Sequence, residues 1–208
     1  PTQFSGKVLD HTGKALAGVK LTISRTPLTV TTDANGDFLF TQDVPPGKLD
    51  LFVDGRAVTG TTPLPTTNGN ASPSTPTQYP SLHFEVLAIK GQKNILPHPI
   101  YLPPLLMSQA KIVGGNQDVS ITIPGFEGFE MIVKANSVTF PDGSREGPLV
   151  VSPVHADRLP MVPPGGGATF TALGWTIQPS GTRFDPPIEV RIPNTAHRKP
   201  GETTEIYQ

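Results

Sequence analysis

The sequence of 208 residues contains no cysteine, which excludes disulfide staples, thiolate-held metals and a cysteine nucleophile. Net charge is also lacking. Sixteen Lys and Arg against seventeen Asp and Glu leave a formal charge of −1, with the cations scattered along the chain. Nothing here supplies the attraction that binds nucleic acid or an anionic membrane. No apolar run approaches the roughly 20 residues needed to cross a bilayer. The start carries neither the basic nor the apolar region of a secretory signal. Only 36% of residues are hydrophobic, and tryptophan occurs once.

Proline and glycine are what the chain has in excess. Together 25 Pro and 21 Gly make about a fifth of it, against a usual share of roughly an eighth. There is no Gly-X-Y period, so collagen is excluded. Pro and Gly disfavour helix interiors by about 3 and 1 kcal/mol. Their density therefore predicts an all-β protein of many short strands, in one large domain or two ordinary ones. The chain begins at Pro1 without Met and stops at Gln208 inside what reads as a strand, Thr203–Tyr207. We read it as part of a longer protein.

The organising stretch is Thr31-Thr32-Asp33-Ala34-Asn35-Gly36-Asp37-Phe38-Leu39-Phe40. Asp, Asn and Gly tolerate the backbone conformations of tight turns, and Asn-Gly is the strongest short-range hairpin signal. Beyond the turn, Phe38 and Phe40 share one strand face and Leu39 takes the other. Before it, Phe4–Asp10 alternates and breaks at a turn through Gly13, and Val19, Leu21 and Ile23 point one way from a second strand. After it, Leu49, Leu51 and Val53 alternate again.

Val8, Gly13, Leu16, Gly18, Val19, Thr31, Asp33, Gly36, Phe38, Pro46, Gly47, Val53 and Gly55 are spaced as in carboxypeptidase regulatory-like, or transthyretin-like, domains, which this part of the chain resembles. The resemblance implies a seven-stranded Greek-key sandwich that serves as an accessory to catalytic or adhesive domains. Residues 57–80, almost all Thr, Pro, Ser, Asn and Gly, cannot bury enough apolar surface to offset their ordering entropy. They are expected to form an exposed loop inside this module. A strand over Leu82–Ile89 and an edge strand over Asn94–Leu102 close it, so the first module is assigned residues 1–104.

Residues 105–208 repeat the pattern of short strands separated by Pro-rich breaks, and are expected to form a second β-rich module, truncated at its end. Expected strands lie at Val119–Ile123, Phe129–Val133, Asn136–Phe140, Leu149–Val154, Thr169–Leu173, Trp175–Pro179 and Ile188–Asn194. Ala135–Gly143, Val151–His155, Trp175–Pro179 and Phe184–Pro187 give this half a looser resemblance to ZU5-like and fibronectin-plug-like modules. Such modules stand beside transthyretin-like domains in teneurin-like and Rhs/YD-repeat proteins and other large bacterial secreted proteins. The fold class expected is thus all-β, two consecutive antiparallel β-sandwiches, the first prealbumin-like. Some ZU5-bearing proteins cleave themselves at His-Phe-Ser. Here His83-Phe84 is followed by Glu85, so that activity is not carried over.

Candidate chemistry is sparse. Asp33, Asn35 and Asp37 present oxygens two residues apart, as calcium loops do, but the spacing of Gly36 and Val44 departs from an EF-hand. A hairpin turn held by Asp and Asn side chains is the competing reading, and Asp10 could add a carboxylate to a calcium site. The histidines His11, His83, His98, His155 and His197 show no metal-binding spacing. Ser152, His155 and Asp157 are too close in sequence for a triad whose members must converge in space, and no nucleophile elbow exists. Gly165-Gly166-Gly167 lacks the following Lys of a phosphate loop. Trp175 alternates with Ile177 and reads as a core residue; exposed, it would be a sugar-stacking platform, which Tyr79, Tyr101 and Tyr207 are too dispersed to complete. Asn70-Ala71-Ser72 fits a eukaryotic glycosylation site, and Lys7 or Lys20 could enter an isopeptide crosslink.

The function expected is that of a non-catalytic structural or interaction module of a larger secreted or cell-surface bacterial protein. Its partners would be neighbouring domains of the same chain, or a protein or glycan surface. The alternatives are a carbohydrate-binding or adhesive module and an accessory domain of a secreted hydrolase.

Overall fold

The computed structural model describes residues 1–58, 77–155, 158, 174–195 and 197–202. These form an all-β protein in which helix is confined, among the described residues, to short 3-10 turns such as Gly55–Ala57 and Met107–Gln109. Among the described residues no helix is long and apolar enough to cross a membrane.

The first half contains β1 (Gln3–Asp10), β2 (Lys20–Ile23), β3 (Thr29–Thr31), β4 (Asp37–Phe40), β5 (Gly47–Asp54), β6 (Ser81–Ala88), β7 (Lys93–Ile95) and β8 (Ile100–Leu102). One layer has the order β3-β2-β5-β6, antiparallel throughout. In the other, β1 is antiparallel to β4 and accepts β7 and β8 along its second edge. Those two pairings are parallel, so this layer is mixed. The expected closing strand is split because Pro97 and Pro99 lie within it, and proline has no N–H for a ladder. The wiring is the Greek key of a prealbumin-like sandwich, with β4 returning beside β1.

Alternation decides which side chains meet between the layers. Phe4, Val8, Phe38 and Phe40 come from one, and Leu21, Ile23, Leu51, Val53 and Val86 from the other, all buried in one cluster. Each such side chain contributes about 1.5–3 kcal/mol by leaving water. The turn before β4 is fixed by backbone contact. Gly36 has φ +75°, its carbonyl accepts from the Val8 N–H at 2.8 Å, and a Cβ there would stand 2.4 Å from the Val8 oxygen. Buried Thr32 closes the same corner, its hydroxyl accepting from the Val19 N–H and donating to the Leu16 carbonyl.

The second half contains β9 (Lys111–Val113), β10 (Val119–Ile121), β11 (Glu130–Val133), β12 (Val138–Thr139), β13 (Gly147–Val154), β14 (Gly174–Gln178), β15 (Arg183–Phe184) and β16 (Glu189–Arg191). Layer β14-β13-β9 faces layer β10-β11-β16, and the short β12-β15 pair contributes at the side. Val113, Leu149 and Val151 meet Ile121, Met131, Val133 and Phe129 in a second core.

Three sequence expectations need correction. The exposed loop ends before Pro80, because Gln78, Tyr79 and Pro80 are buried. The Pro80 carbonyl accepts from the Gly55 N–H at 3.0 Å, and a Cβ on Gly55 would lie 2.4 Å from that oxygen. Strands β9 and β15 occur where none was expected, being too short to show an alternation. Asn136–Phe140 is extended into a ladder only at Val138 and Thr139. The expected strand Thr169–Leu173, most of the loop (59–76), Asn70, Gly165–Gly167, Asp157 and Tyr207 lie outside the described residues.

Candidate functional site

The calcium-like triplet is committed to its own turn. One carboxylate oxygen of Asp33 accepts from the N–H groups of Asn35 (2.8 Å) and Asp37 (3.0 Å). The Lys7 ammonium stands 2.9 Å from the Asp37 carboxylate and donates to the Asn35 carbonyl at 2.7 Å. A calcium ion here would have to displace that ammonium. Asp10 is turned to its own loop instead, and no cluster of three or more His, Asp or Glu suited to a metal occurs among the described residues. Trp175 is half-buried, its ring edge-on to Phe129 at 5.2 Å. Ser152 is fully buried, and its hydroxyl accepts from the Leu106 N–H at 2.9 Å.

The structure concentrates its unusual chemistry between the two sandwiches. Strand β13 is buried on both faces. Leu149 and Val151 enter the second core, whereas Val150 packs with Leu105 and Met107 of the connector. On the neighbouring β14, Thr176 and Gln178 share that outer side and are buried too. The Gln178 amide donates to the Ser81 carbonyl (3.2 Å) and the Thr176 hydroxyl (3.0 Å), while its oxygen accepts from the N–H of Ser180 (3.2 Å) and lies 3.4 Å from that of Ser81. The Leu105 N–H donates to the Gln78 carbonyl at 2.8 Å. A buried amide that satisfies groups on both sides fixes them in one register, since an unmatched partner there costs about 1–3 kcal/mol.

Beside this joint lies a cleft of about 180 Å³. The turn after β1 supplies His11, the connector Pro103, Pro104 and Leu106, the turn between β10 and β11 Phe126, and the end of β13 Pro153, Val154 and His155. The imidazoles of His11 and His155 lie nearly parallel, 10° apart in plane with centroids separated by 6.3 Å. His11 Nδ1 is the buried side-chain polar atom that has no hydrogen-bond partner among the described residues. Arg158 donates to the His11 carbonyl and lies 4.6 Å from the centre of the Tyr101 ring.

The loop that presents His11 is held by Asp10. One of its oxygens accepts from the Thr12 N–H (2.8 Å), the Thr12 hydroxyl (2.6 Å) and the Lys14 N–H (2.9 Å). Burial pushes the Asp10 carboxyl up, but these bonds and the nearby His11 outweigh it and hold the carboxyl below its ordinary value. Sequence reasoning missed Ser81, Gln178 and Arg158 and saw no connection between His11 and His155. The only available signal was the polar face of Trp175-Thr176-Ile177-Gln178, which reads as a solvent face.

No family model matches the chain, and no curated protein matches it. Among solved structures, the chain is similar to one from a C-terminal interface mutant of the type II cohesin–X-dockerin complex of Acetivibrio cellulolyticus, at 20% identity and a TM-score of 0.30. The likeness covers 49% of this chain and 57% of that one, and is too loose to bear on function.

Proposed function

We propose that this chain is a non-catalytic structural and interaction module of a larger secreted or cell-surface bacterial protein. A transthyretin-like sandwich, residues 1–104, and a second sandwich, residues 105–208, hold neighbouring domains at a fixed spacing. The observation that carries this reading is the buried joint, in which Gln178 is shared with Ser81 and the connector covers the outer face of β13. A flexible linker would leave those groups to water. Contact surfaces for neighbours are available on the outside. Leu39 and Ile95 both pair with Ser5 across one sheet, and both are exposed, at 49% and 73%. An apolar row of this kind on a sheet rim suits protein contact.

The test is orientation. Residual dipolar couplings measured in the two sandwiches should fit one alignment tensor in the wild type. Gln178→Ala should lower stability by about 1–3 kcal/mol and separate the tensors. Two unrelated tensors in the wild type would refute a fixed spacer.

A further inference from the structure

We propose that the free edge of β6 docks an extended peptide segment of a partner protein, about five residues long, which joins the sheet as an antiparallel strand with a lysine or arginine at its centre. This goes beyond the spacer role and stands whichever angle the two sandwiches hold. Strand β6 ends the layer β3-β2-β5-β6 and, among the described residues, pairs with β5 alone. In an antiparallel ladder, alternate residues turn their N–H and C=O to one neighbour and the residues between turn theirs the other way. The Pro80 carbonyl accepts from the Gly55 N–H at the end of β5. The groups of Ser81, His83, Glu85, Leu87 and Ile89 therefore point to the free edge.

That edge is closed at both ends and open between them. The Gln178 amide donates to the Ser81 carbonyl at 3.2 Å, and its oxygen lies 3.4 Å from the Ser81 nitrogen. The Asn94 amide treats Ile89 alike, accepting from its N–H at 2.8 Å and donating to its carbonyl at 3.1 Å. A side-chain carboxamide offers the donor and acceptor of a peptide unit, so each stands in for a neighbouring strand. Between these caps the N–H and C=O of His83, Glu85 and Leu87 have no partner among the described residues, and all three residues are exposed. Native sheets blunt their edges. Here the blunting stops at the two ends and leaves residues 83–87 ready to pair.

The rows that end at β6 define what fits. Leu51 and Val53 of β5 are fully buried, whereas Phe84 and Leu82 opposite them are half-buried, because no strand flanks them. Apolar side chains on the core side of an added strand complete those rows. On the other face Asp50 and Glu85 stand directly opposite each other, an unfavourable like-charge pair that Lys48 and His83 offset from the sides. A cation on the added strand, beside Glu85, extends that compensation. A second copy of this chain fits poorly. The antiparallel register that pairs all three open residues with their own counterparts sets Glu85 against Glu85.

The experiment titrates the isotope-labelled full chain with the peptide acetyl-Thr-Val-Lys-Val-Thr-amide, followed through backbone amide resonances by NMR. Saturable shifts should centre on His83, Glu85 and Leu87. Glu in place of the central Lys should weaken binding about fivefold, the factor that one exposed ion pair supplies, and Glu85→Lys should reverse that preference. N-methylation of the central Lys should abolish binding, since in an antiparallel ladder its N–H faces Glu85. Leu87→Pro should abolish it too and leave the β5–β6 ladder intact, because the N–H it removes points to the open edge. Absence of saturable shifts would overturn the proposal, as would binding that survives N-methylation or Leu87→Pro. A dimer of the free chain that Leu87→Pro dissolves, seen by sedimentation, would overturn it as well and give the edge to a second copy.

Discussion

The two sandwiches bury their cores by different means. In the first, β1, β5 and β6 each run for eight residues, and β5 pairs with β6 through eight consecutive positions. Its layers are therefore closed by their own ladders. Among its described residues the second has one strand of that length, β13, which serves β9 with its first three residues and β14 with its last five. Its turns are clamped by side chains, such as Asp118 accepting from the Ala135 N–H and Arg145 donating to the Asn136 carbonyl. The outer face of β13 is covered by the connector. The first sandwich closes with its own ladders, and the second borrows a cover.

That asymmetry can be broken most directly in the cores. Leu51→Ala in the first and Met131→Ala in the second, both fully buried, should each cost about 2–5 kcal/mol. Trp175 is the only tryptophan and reports the second sandwich alone. Under denaturant, Leu51→Ala should lower the midpoint seen by Trp175 fluorescence, because the cover is lost. Met131→Ala should leave amide signals of the first sandwich dispersed after Trp175 has unfolded. The reverse dependence would invert the comparison.

Glycine substitutions give the next largest effect. Gly55→Ala places a Cβ 2.4 Å from a backbone oxygen and 2.7 Å from the Tyr79 Cβ, neither of which can move freely, and should cost about 1–3 kcal/mol in thermal unfolding. In the second sandwich, Gly147→Ala meets only the Phe140 ring at 3.2 Å and should cost less.

Acid should separate the two halves further. The Asp10 carboxyl lies below its ordinary value of 3.8 in the folded protein. Its contribution is present above that value and is lost as pH falls through the lower folded one. Asp10→Asn should therefore flatten the fall in stability below about pH 4. Asp142, also held below its ordinary value by hydrogen bonds from Ser144 but on an exposed turn, should change the acid limb little when replaced by Asn. The smallest effect is expected at Lys7. Its pair with Asp37 is exposed on both sides, so Lys7→Met should shift stability by no more than about 1 kcal/mol in either direction.

Much of the first sandwich was legible because its strands are long enough to show their period. Val19, Leu21 and Ile23, or Phe38 and Phe40, announce an inward face from sequence alone, and Asp33-Ala34-Asn35-Gly36 announces a tight turn into β4, although the strands it joins, β3 and β4, belong to different layers and do not pair as the hairpin signal of Asn-Gly predicts. The second was less legible. A strand of two residues such as Arg183–Phe184 has no period to read, and its existence depends on Val138 arriving opposite Phe184.

The sequence by itself determined an all-β chain, the positions of the principal strands and the face of each that turns inward, because alternation and turn chemistry are local. Only the tertiary structure decided what meets the polar faces. Thr176 and Gln178 alternate like residues that look into water, yet they are buried because the first sandwich lies against them. His11 and His155 stand 144 positions apart and carry no shared motif. They face each other only because one turn and one strand end are packed against the same connector, a juxtaposition no spacing rule within the chain could express.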